Sequence, residues 1–181
     1  RHQISRPNWD GITKYKNTYG HQRYWTNIMN SENFLLMPSD QMVSTTSWNQ
    51  VNISTEYRNI NSDIICYTDG SRENEISGSG FAVTKGDYVI HEGSDYLGKF
   101  ASVFQAEVFA IIRASKWLLE NDKYTGQSVT IYSDSKAALA ALNRHEFNSS
   151  LVLECHNILH SLSQKYNLTV SWIKGHSHNT G

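Results

Sequence analysis

Cysteine and proline are both scarce in this chain of 181 residues, which contains 2 of each. The two cysteines, Cys66 and Cys155, could form at most one disulfide bond, and no Cys or His spacing matches a structural zinc site. A disulfide-stapled or zinc-stabilised fold is therefore excluded. With 11 glycines and no repeating pattern, the chain is not collagen-like either. We expect a globular protein in a reducing, intracellular environment.

Long apolar runs are absent as well. No segment approaches the roughly 18 consecutive apolar residues that span a bilayer, and residues 1–7 lack the apolar stretch of a signal peptide. We therefore expect a protein that is neither secreted nor embedded in a membrane. The 16 basic and 17 acidic side chains nearly cancel, so net charge gives no argument for a nucleic acid partner. The chain starts with Arg1 rather than Met, and we expect it to be an excerpt from a longer polypeptide.

The first third of the chain differs in composition from the rest. Residues 1–60 are rich in Asn, Ser and Thr, carry scattered aromatic side chains and show no sustained period of 2 or 3.6. We interpret them as a connector or N-terminal extension that is partly ordered, with one helix around residues 20–30. The folded domain is expected over residues 61–181.

From residue 63 onward, strand and helix signals alternate clearly. The pattern Ser102-x-x-Gln105 is that of a capping box, and it precedes about 18 residues without Gly or Pro. The longest helix is predicted there, and two further helices are predicted over Lys136–Leu142 and residues 150–165. Five short β-prone runs are predicted to be strands: residues 64–68, 79–84, 88–91, 129–132 and 168–173. This order predicts an α/β fold with a mixed five-stranded sheet, formed by an antiparallel three-stranded meander plus two parallel strands and flanked by helices.

Three acidic residues are predicted to meet at one edge of this sheet. Asp69 closes the first predicted strand and Asp134 follows the fourth, and these two strands are expected to be parallel neighbours. Glu107 lies on the longest helix, and its helical neighbours are all apolar: Val103, Phe104, Ala110 and Ile111. Glu107 is therefore expected to face the protein rather than solvent, close to the two aspartates.

Such a cluster needs a cation. Burying an unpaired carboxylate costs several kcal/mol, and two further acids nearby increase the cost unless a divalent ion neutralises the group. Ligand sets made only of oxygen favour Mg²⁺ or Mn²⁺ over zinc. Clusters of this kind are used in two-metal hydrolysis of phosphodiesters.

Each acid taken alone has a simpler interpretation. Asp69-Gly70 is typical of a turn, Asp134 before an alanine-rich helix is typical of an N-cap, and a lone glutamate such as Glu107 is usually a boundary residue. The three together favour the metal site over these alternatives.

Five short motifs then carry a family resemblance, and they occur in this order: Tyr67-Thr68-Asp69-Gly70-Ser71, Gly78-Ser79-Gly80-Phe81-Ala82, Phe104-Gln105-Ala106-Glu107, Tyr132-Ser133-Asp134-Ser135-Lys136-Ala137-Ala138 and Trp172-Ile173-Lys174-Gly175-His176-Ser177. Over residues 63–181 the chain resembles the ribonuclease H domain of retroelement polyproteins, especially those of non-LTR retrotransposons. The resemblance implies a ribonuclease H-like fold. It also implies an endonuclease that cuts the RNA strand of RNA–DNA hybrids with two Mg²⁺ ions, or Mn²⁺ in their place.

The resemblance also implies roles for individual residues. Asp69 would bridge both ions, Glu107 and Asp134 would complete the site on the leaving-group side, and His176 would assist with water or product departure. The predicted substrate contacts are Gly70, Ser71, Gln105 and Lys136. The implied partners are an RNA–DNA hybrid and the reverse transcriptase domain of the same polyprotein, with the isolated domain a monomer.

Two departures from the family pattern leave alternatives open. The family's fourth acid follows in a Gly-Asn-Glu-x-Ala-Asp continuation, whereas this sequence stops at Gly181, so we expect the 181-residue chain to be weakly active or inactive. Val103 and Phe104 replace polar residues that cellular ribonucleases H use to contact the hybrid, which puts hybrid discrimination in doubt. The alternatives are a non-catalytic domain that binds nucleic acid or braces a polymerase, and another nuclease or an integrase that shares the fold.

Overall fold

The computed structural model describes residues 51–175. Its elements follow the order β-β-β-β-α-β-α-α-β, with a short 3₁₀ turn at Asp122–Tyr124. The strands are β1 (Asn52–Tyr57), β2 (Ile64–Glu73), β3 (Ile76–Lys85), β4 (Tyr88–Gly98), β5 (Ser128–Ser133) and β6 (Asn167–Trp172). The helices are α1 (Val103–Glu120), α2 (Lys136–Leu142) and α3 (Ser150–Ser163).

These strands form one mixed sheet in the order β1-β6-β5-β2-β3-β4. The pairs β2–β3 and β3–β4 are antiparallel, so the predicted meander is present. The pairs β2–β5, β5–β6 and β1–β6 are parallel. The predicted α/β class and the mixed sheet are therefore confirmed, and β2 is the strand at which the antiparallel and parallel halves meet.

The sheet has six strands rather than the predicted five. The additional strand, β1, lies within residues 1–60, which were assigned to the connector, and it pairs in parallel with β6. Its sequence gives a weak strand signal because it is a short edge strand in which only Ser54 is buried. Residues 1–50, including the helix predicted around residues 20–30, lie outside the described residues.

The meander strands are longer than predicted, and β2 does not end at Asp69. Strand β2 continues to Glu73 because β3 pairs with it along its whole length, from Ile65 opposite Thr84 to Glu73 opposite Ile76. The reversal falls at Asn74 and Glu75, whose φ values of 49° and 66° are those of a tight hairpin turn. The interpretation of Asp69-Gly70 as a turn is therefore wrong.

Helix α1 begins as its sequence predicts. The Ser102 hydroxyl accepts a hydrogen bond from the Gln105 backbone N–H, and the Gln105 side chain accepts one from the Ser102 N–H at 2.8 Å. The helix packs against β2, β3 and α3, and it contributes the fully buried side chains Ile111, Ile112 and Leu118 to the core. Within residues 51–175, none of the helices has both the length and the apolar character required to cross a membrane.

Candidate active site

The two aspartates emerge where the sheet opens between β2 and β5. The parallel pairing of these strands ends at Thr68 opposite Ser133, so Asp69 and Asp134 are the next residues on each strand. The carboxyl ends of parallel strands lie at the same edge of a sheet, which brings the two side chains to one place. Both aspartates are half-buried.

Glu107 reaches the same place from the second turn of α1. The approach depends on Gly70, because a Cβ atom there would lie 2.5 Å from the Glu107 backbone nitrogen and 2.8 Å from the Ala106 carbonyl carbon. Real Cβ atoms do not come that close to backbone atoms, so only glycine lets β2 and α1 pack at this distance. The Gly70 backbone N–H also donates a hydrogen bond to the Glu107 carboxylate.

Asp134 does not cap the helix that follows it. The N-cap of α2 is Ser135, whose hydroxyl accepts a hydrogen bond from the Ala138 N–H at 3.2 Å. The alternative interpretation of Asp134 as an N-cap is therefore wrong. Its carboxylate lies with those of Asp69 and Glu107.

The end of β6 and the residues that follow it hold Asp134 in position. The Trp172 indole N–H donates to the Asp134 carbonyl at 3.0 Å, and the Ile173 N–H donates to the Ser133 carbonyl at 3.0 Å. A Cβ atom at Gly175 would overlap the Asp134 carboxylate, so this glycine lies directly against it. Trp172 and Gly175 belong to a motif in the sequence. Their contact with Asp134 depends on the pairing of β6 with β5, so the motif alone does not predict it.

One carboxylate oxygen from each of Asp69, Glu107 and Asp134 lies within 4.8 Å of the others. Glu107 is only 6% exposed, and its Oε2 has no hydrogen-bond partner among the described residues. An orphaned, buried carboxylate oxygen facing two further carboxylates is the environment that a bound divalent cation completes. The residues present therefore fit a hard divalent ion, and the acidic cluster (Asp69, Glu107 and Asp134) is the candidate metal site.

The pKa of Glu107 shows that the acidic cluster is electrostatically unfavourable without a cation. Burial raises the pKa of Glu107 to about 9, and repulsion by Asp134 and Asp69 acts in the same direction. The hydrogen bond from the Gly70 N–H lowers the pKa but does not offset these causes. At neutral pH and without metal, Glu107 is therefore protonated, and a divalent ion would have to displace its proton.

Three of the four predicted substrate contacts, Gly70, Ser71 and Gln105, make contacts within the protein. Gln105 is buried in the cap of α1, and the Ser71 hydroxyl donates to the Gly78 carbonyl at 3.5 Å. Lys136 is exposed at the start of α2, with its ammonium group 4.3 Å from the centre of the Trp172 ring. His176, the fourth predicted catalytic residue, lies outside the described residues.

Comparison with known proteins decides which family this fold and site represent. A model of the RNase H family matches residues 61–181, about two thirds of the chain. The chain belongs to the RNase H family. Membership confirms the predicted enzyme class, ribonuclease H, and the matched region begins after β1. A comparison with functionally curated proteins gives no match.

Solved structures agree with this RNase H assignment. LC11-RNase H1, isolated from compost by a metagenomic approach, is 27% identical over 62% of this chain and 84% of its own, with a TM-score of 0.52. The same enzyme in complex with an RNA/DNA hybrid gives 24% identity over 61% of this chain and 85% of its own, with a TM-score of 0.50. An N-terminal RNase H domain from Mycobacterium tuberculosis shares the fold at 17% identity, over 62% of this chain and 87% of its own, with a TM-score of 0.51.

Proposed function

We propose that this RNase H domain hydrolyses the RNA strand of RNA–DNA hybrids as an endonuclease that uses two divalent metal ions. The observation that carries the proposal is the acidic cluster, in which three carboxylates converge within 4.8 Å inside an RNase H domain. A related enzyme, LC11-RNase H1, has been crystallised with an RNA/DNA hybrid, which supports the same class of substrate for this chain.

In this proposal each acid has its own task. Asp69, Glu107 and Asp134 would hold Mg²⁺, or Mn²⁺ in its place, and Asp69 would serve as a ligand for both ions. Bound divalent ions supply activation of water and charge stabilisation at the departing oxygen. Gly70 stabilises the ionised form of Glu107 through its N–H, and Trp172 fixes the backbone at Asp134. His176 is proposed to assist water or product departure.

We propose further that the domain belongs to a retrotransposon reverse transcriptase polyprotein, especially of the non-LTR class. The support is the set of sequence motifs, above all Phe104-Gln105-Ala106-Glu107 on α1 and Tyr132-Ser133-Asp134-Ser135 at the end of β5. The partners would then be the hybrid and the polymerase domain of the same polyprotein. Cys66 and Cys155 are buried free thiols, which supports an intracellular location.

The proposal is tested by following a labelled RNA strand that is annealed either to DNA or to complementary RNA. The assay uses the 181-residue chain and a version extended beyond Gly181 by the family's Asn-Glu-x-Ala-Asp. We expect cleavage of the hybrid only, weak or absent with the 181-residue chain and clear with the extended version, dependent on Mg²⁺ or Mn²⁺ and stopped by a chelator. Glu107→Gln should abolish it, whereas Glu120→Gln, an exposed acid at the end of the same helix, should leave it unchanged.

No metal-dependent cleavage by either version would contradict catalysis and favour the non-catalytic alternative. Equal cleavage of RNA–RNA and RNA–DNA duplexes would contradict hybrid specificity. Both results can be compared with the Glu120→Gln control, which reports on folding and assay conditions.

A further inference from the structure

The edge of the sheet that carries the two aspartates extends beyond the region that the RNase H family model matches. Strands β1, β6, β5 and β2 are consecutive in the sheet and mutually parallel, so their carboxyl ends lie at one edge. Asp69 and Asp134 mark this edge on β2 and β5. At the end of β1 the same edge carries Tyr57 and, directly after the strand, Arg58, and both precede the first matched residue, 61.

Contacts with Tyr132 of β5 hold this end of β1 in place. The Tyr57 ring stacks on Tyr132 with centroids 6.2 Å apart and an interplanar angle of 27°. The Tyr132 hydroxyl donates to the Arg58 carbonyl at 2.7 Å and accepts from the Ile60 N–H at 3.3 Å. Tyr132 is two residues before Asp134, so Tyr57 and Arg58 are tied to the strand that presents a metal ligand.

The same edge carries exposed cations. Tyr57 is 54% exposed, and Arg58, Lys136 and Lys174 are all exposed. The only acid in residues 52–60 is Glu56. Lys136 lies over the ring of Trp172, and the backbone of Trp172 is in register with that of Tyr57 on the neighbouring strand, so these residues lie at the same edge of the sheet. Cations at the edge that carries a site for a phosphodiester are complementary to the phosphates on either side of the bond that is cut.

We propose that Tyr57, Arg58, Lys136 and Lys174 form a second nucleic-acid contact, the basic edge, which binds the sugar–phosphate backbone of the hybrid next to the acidic cluster. This inference rests on the proposed function, since it takes the hybrid as the ligand. Arg side chains and Tyr hydroxyls commonly contact phosphates and fix position without reading sequence. Neighbouring strands are about 4.8 Å apart, so β1 lies about 10 Å from β5, a few nucleotides along the strand.

The test measures hybrid affinity without cleavage, in a Glu107→Gln background with Mg²⁺ present, by fluorescence anisotropy over a range of salt concentrations. Arg58→Gln removes one charge and should reduce the slope of log affinity against log salt by about 0.7–0.9. Tyr57→Phe keeps the ring stack and removes the hydroxyl, and should weaken binding about two- to tenfold. Both side chains are exposed, so the melting temperature should not change.

Two variants at other places in the fold serve as controls. Lys123→Gln removes an exposed cation from the turn before β5, at the opposite edge of the sheet. Tyr88→Phe removes the hydroxyl of a tyrosine that is 78% exposed on β4. Neither change should alter the affinity or the salt slope.

If Arg58→Gln and Tyr57→Phe bind the hybrid as tightly as the background protein and with the same slope, the basic edge is overturned while hybrid binding itself stands. If the background protein fails to bind the hybrid at all, the proposed function is overturned and the basic edge with it. If the two control variants weaken binding as much as Arg58→Gln and Tyr57→Phe do, the contact is general surface charge and the inference is overturned as well.

Discussion

Glu107 is a buried acid on an otherwise apolar helix face, and its environment makes stability depend on pH. Folding raises the pKa of Glu107 from 4.5 to about 9. Below about pH 4.5 the group is protonated in both the folded and the unfolded chain, so it does not oppose folding. As the pH rises toward 9, the unfolded chain ionises the group while the folded chain keeps it protonated, and the free energy of unfolding falls.

Glu107→Gln should therefore raise the free energy of unfolding of the metal-free protein at pH 8 but not at pH 5. The effects at the two pH values should differ by on the order of 3 kcal/mol. Urea unfolding with a chelator at the two pH values measures this directly. A stability difference that is independent of pH would show that Glu107 is ionised in the metal-free fold, which is incompatible with a raised pKa.

Gly70 is the second residue on which the site depends. Gly70→Ala would press a methyl group against the backbone of Ala106 and Glu107, so α1 or β2 must move. We expect a loss of about 2–4 kcal/mol in unfolding free energy together with weaker Mn²⁺ binding, measured by urea unfolding and calorimetric titration.

Gly86→Ala is the matched control for Gly70→Ala. Gly86 has a φ of 58° and open space around it, so alanine there should cost only about 1 kcal/mol and leave Mn²⁺ binding unchanged. Equal effects of the two substitutions would contradict the close packing of β2 against α1 at Gly70.

Some of this residue-scale detail could be predicted from sequence. The apolar neighbours of Glu107 indicated its burial, because helical spacing fixes which residues share a face. The role of Gly70 could not be predicted, since it arises from a helix and a strand that are distant in sequence. The same holds for Ser135, which caps α2 in place of Asp134 although both residue types are common N-caps.

At the scale of elements, the capping box marks where α1, the helix that carries Glu107, begins. Ser102→Ala removes one half of the capping box and should cost about 1 kcal/mol in unfolding free energy. Ser149 occupies the N-cap position of α3 but makes no side-chain cap bond, so Ser149→Ala should cost close to nothing. Chemical denaturation of the two variants compares them, and equal losses would mean that the cap bond of Ser102 adds nothing.

The connection from β6 to Asp134 gives a further prediction. Trp172→Phe removes the indole N–H bond to the Asp134 carbonyl and should lower Mn²⁺ affinity about tenfold, because groups that orient metal ligands matter nearly as much as the ligands. Calorimetric titration with Mn²⁺ measures the effect.

Trp117→Phe is the control for Trp172→Phe. Trp117 lies ten residues after Glu107 on α1 and stacks on His91 of β4 with ring centroids 4.7 Å apart. The substitution should therefore reduce stability without changing Mn²⁺ affinity. If Trp172→Phe also lowers stability alone, Trp172 is a packing residue and does not position Asp134.

Element boundaries show where sequence patterns are informative. The bounds of α1 follow from its capping box and from a long stretch without Gly or Pro. The full length of β2 and the existence of β1 did not follow, because both depend on pairing with another strand rather than on their own periodicity.

At the scale of the whole molecule, topology creates the acidic cluster. The meander leads into α1, and the crossover places β5 in parallel beside β2, so Asp69, Glu107 and Asp134 meet although they are far apart in sequence. The order of elements predicted this sheet, and β1 adds to the same edge a segment that lies outside the matched family region. This arrangement places the acidic cluster of the RNase H domain at one edge of the sheet.

The most direct test is a crystal of the protein soaked in Mn²⁺, with an anomalous difference map. We predict a peak between the three carboxylates, about 2.0–2.3 Å from an oxygen of each of Asp69, Glu107 and Asp134. Loss of that peak in Asp134→Asn crystals would support the assignment further. An acidic cluster that stays empty at saturating Mn²⁺, or a peak bound only elsewhere on the surface, would contradict it.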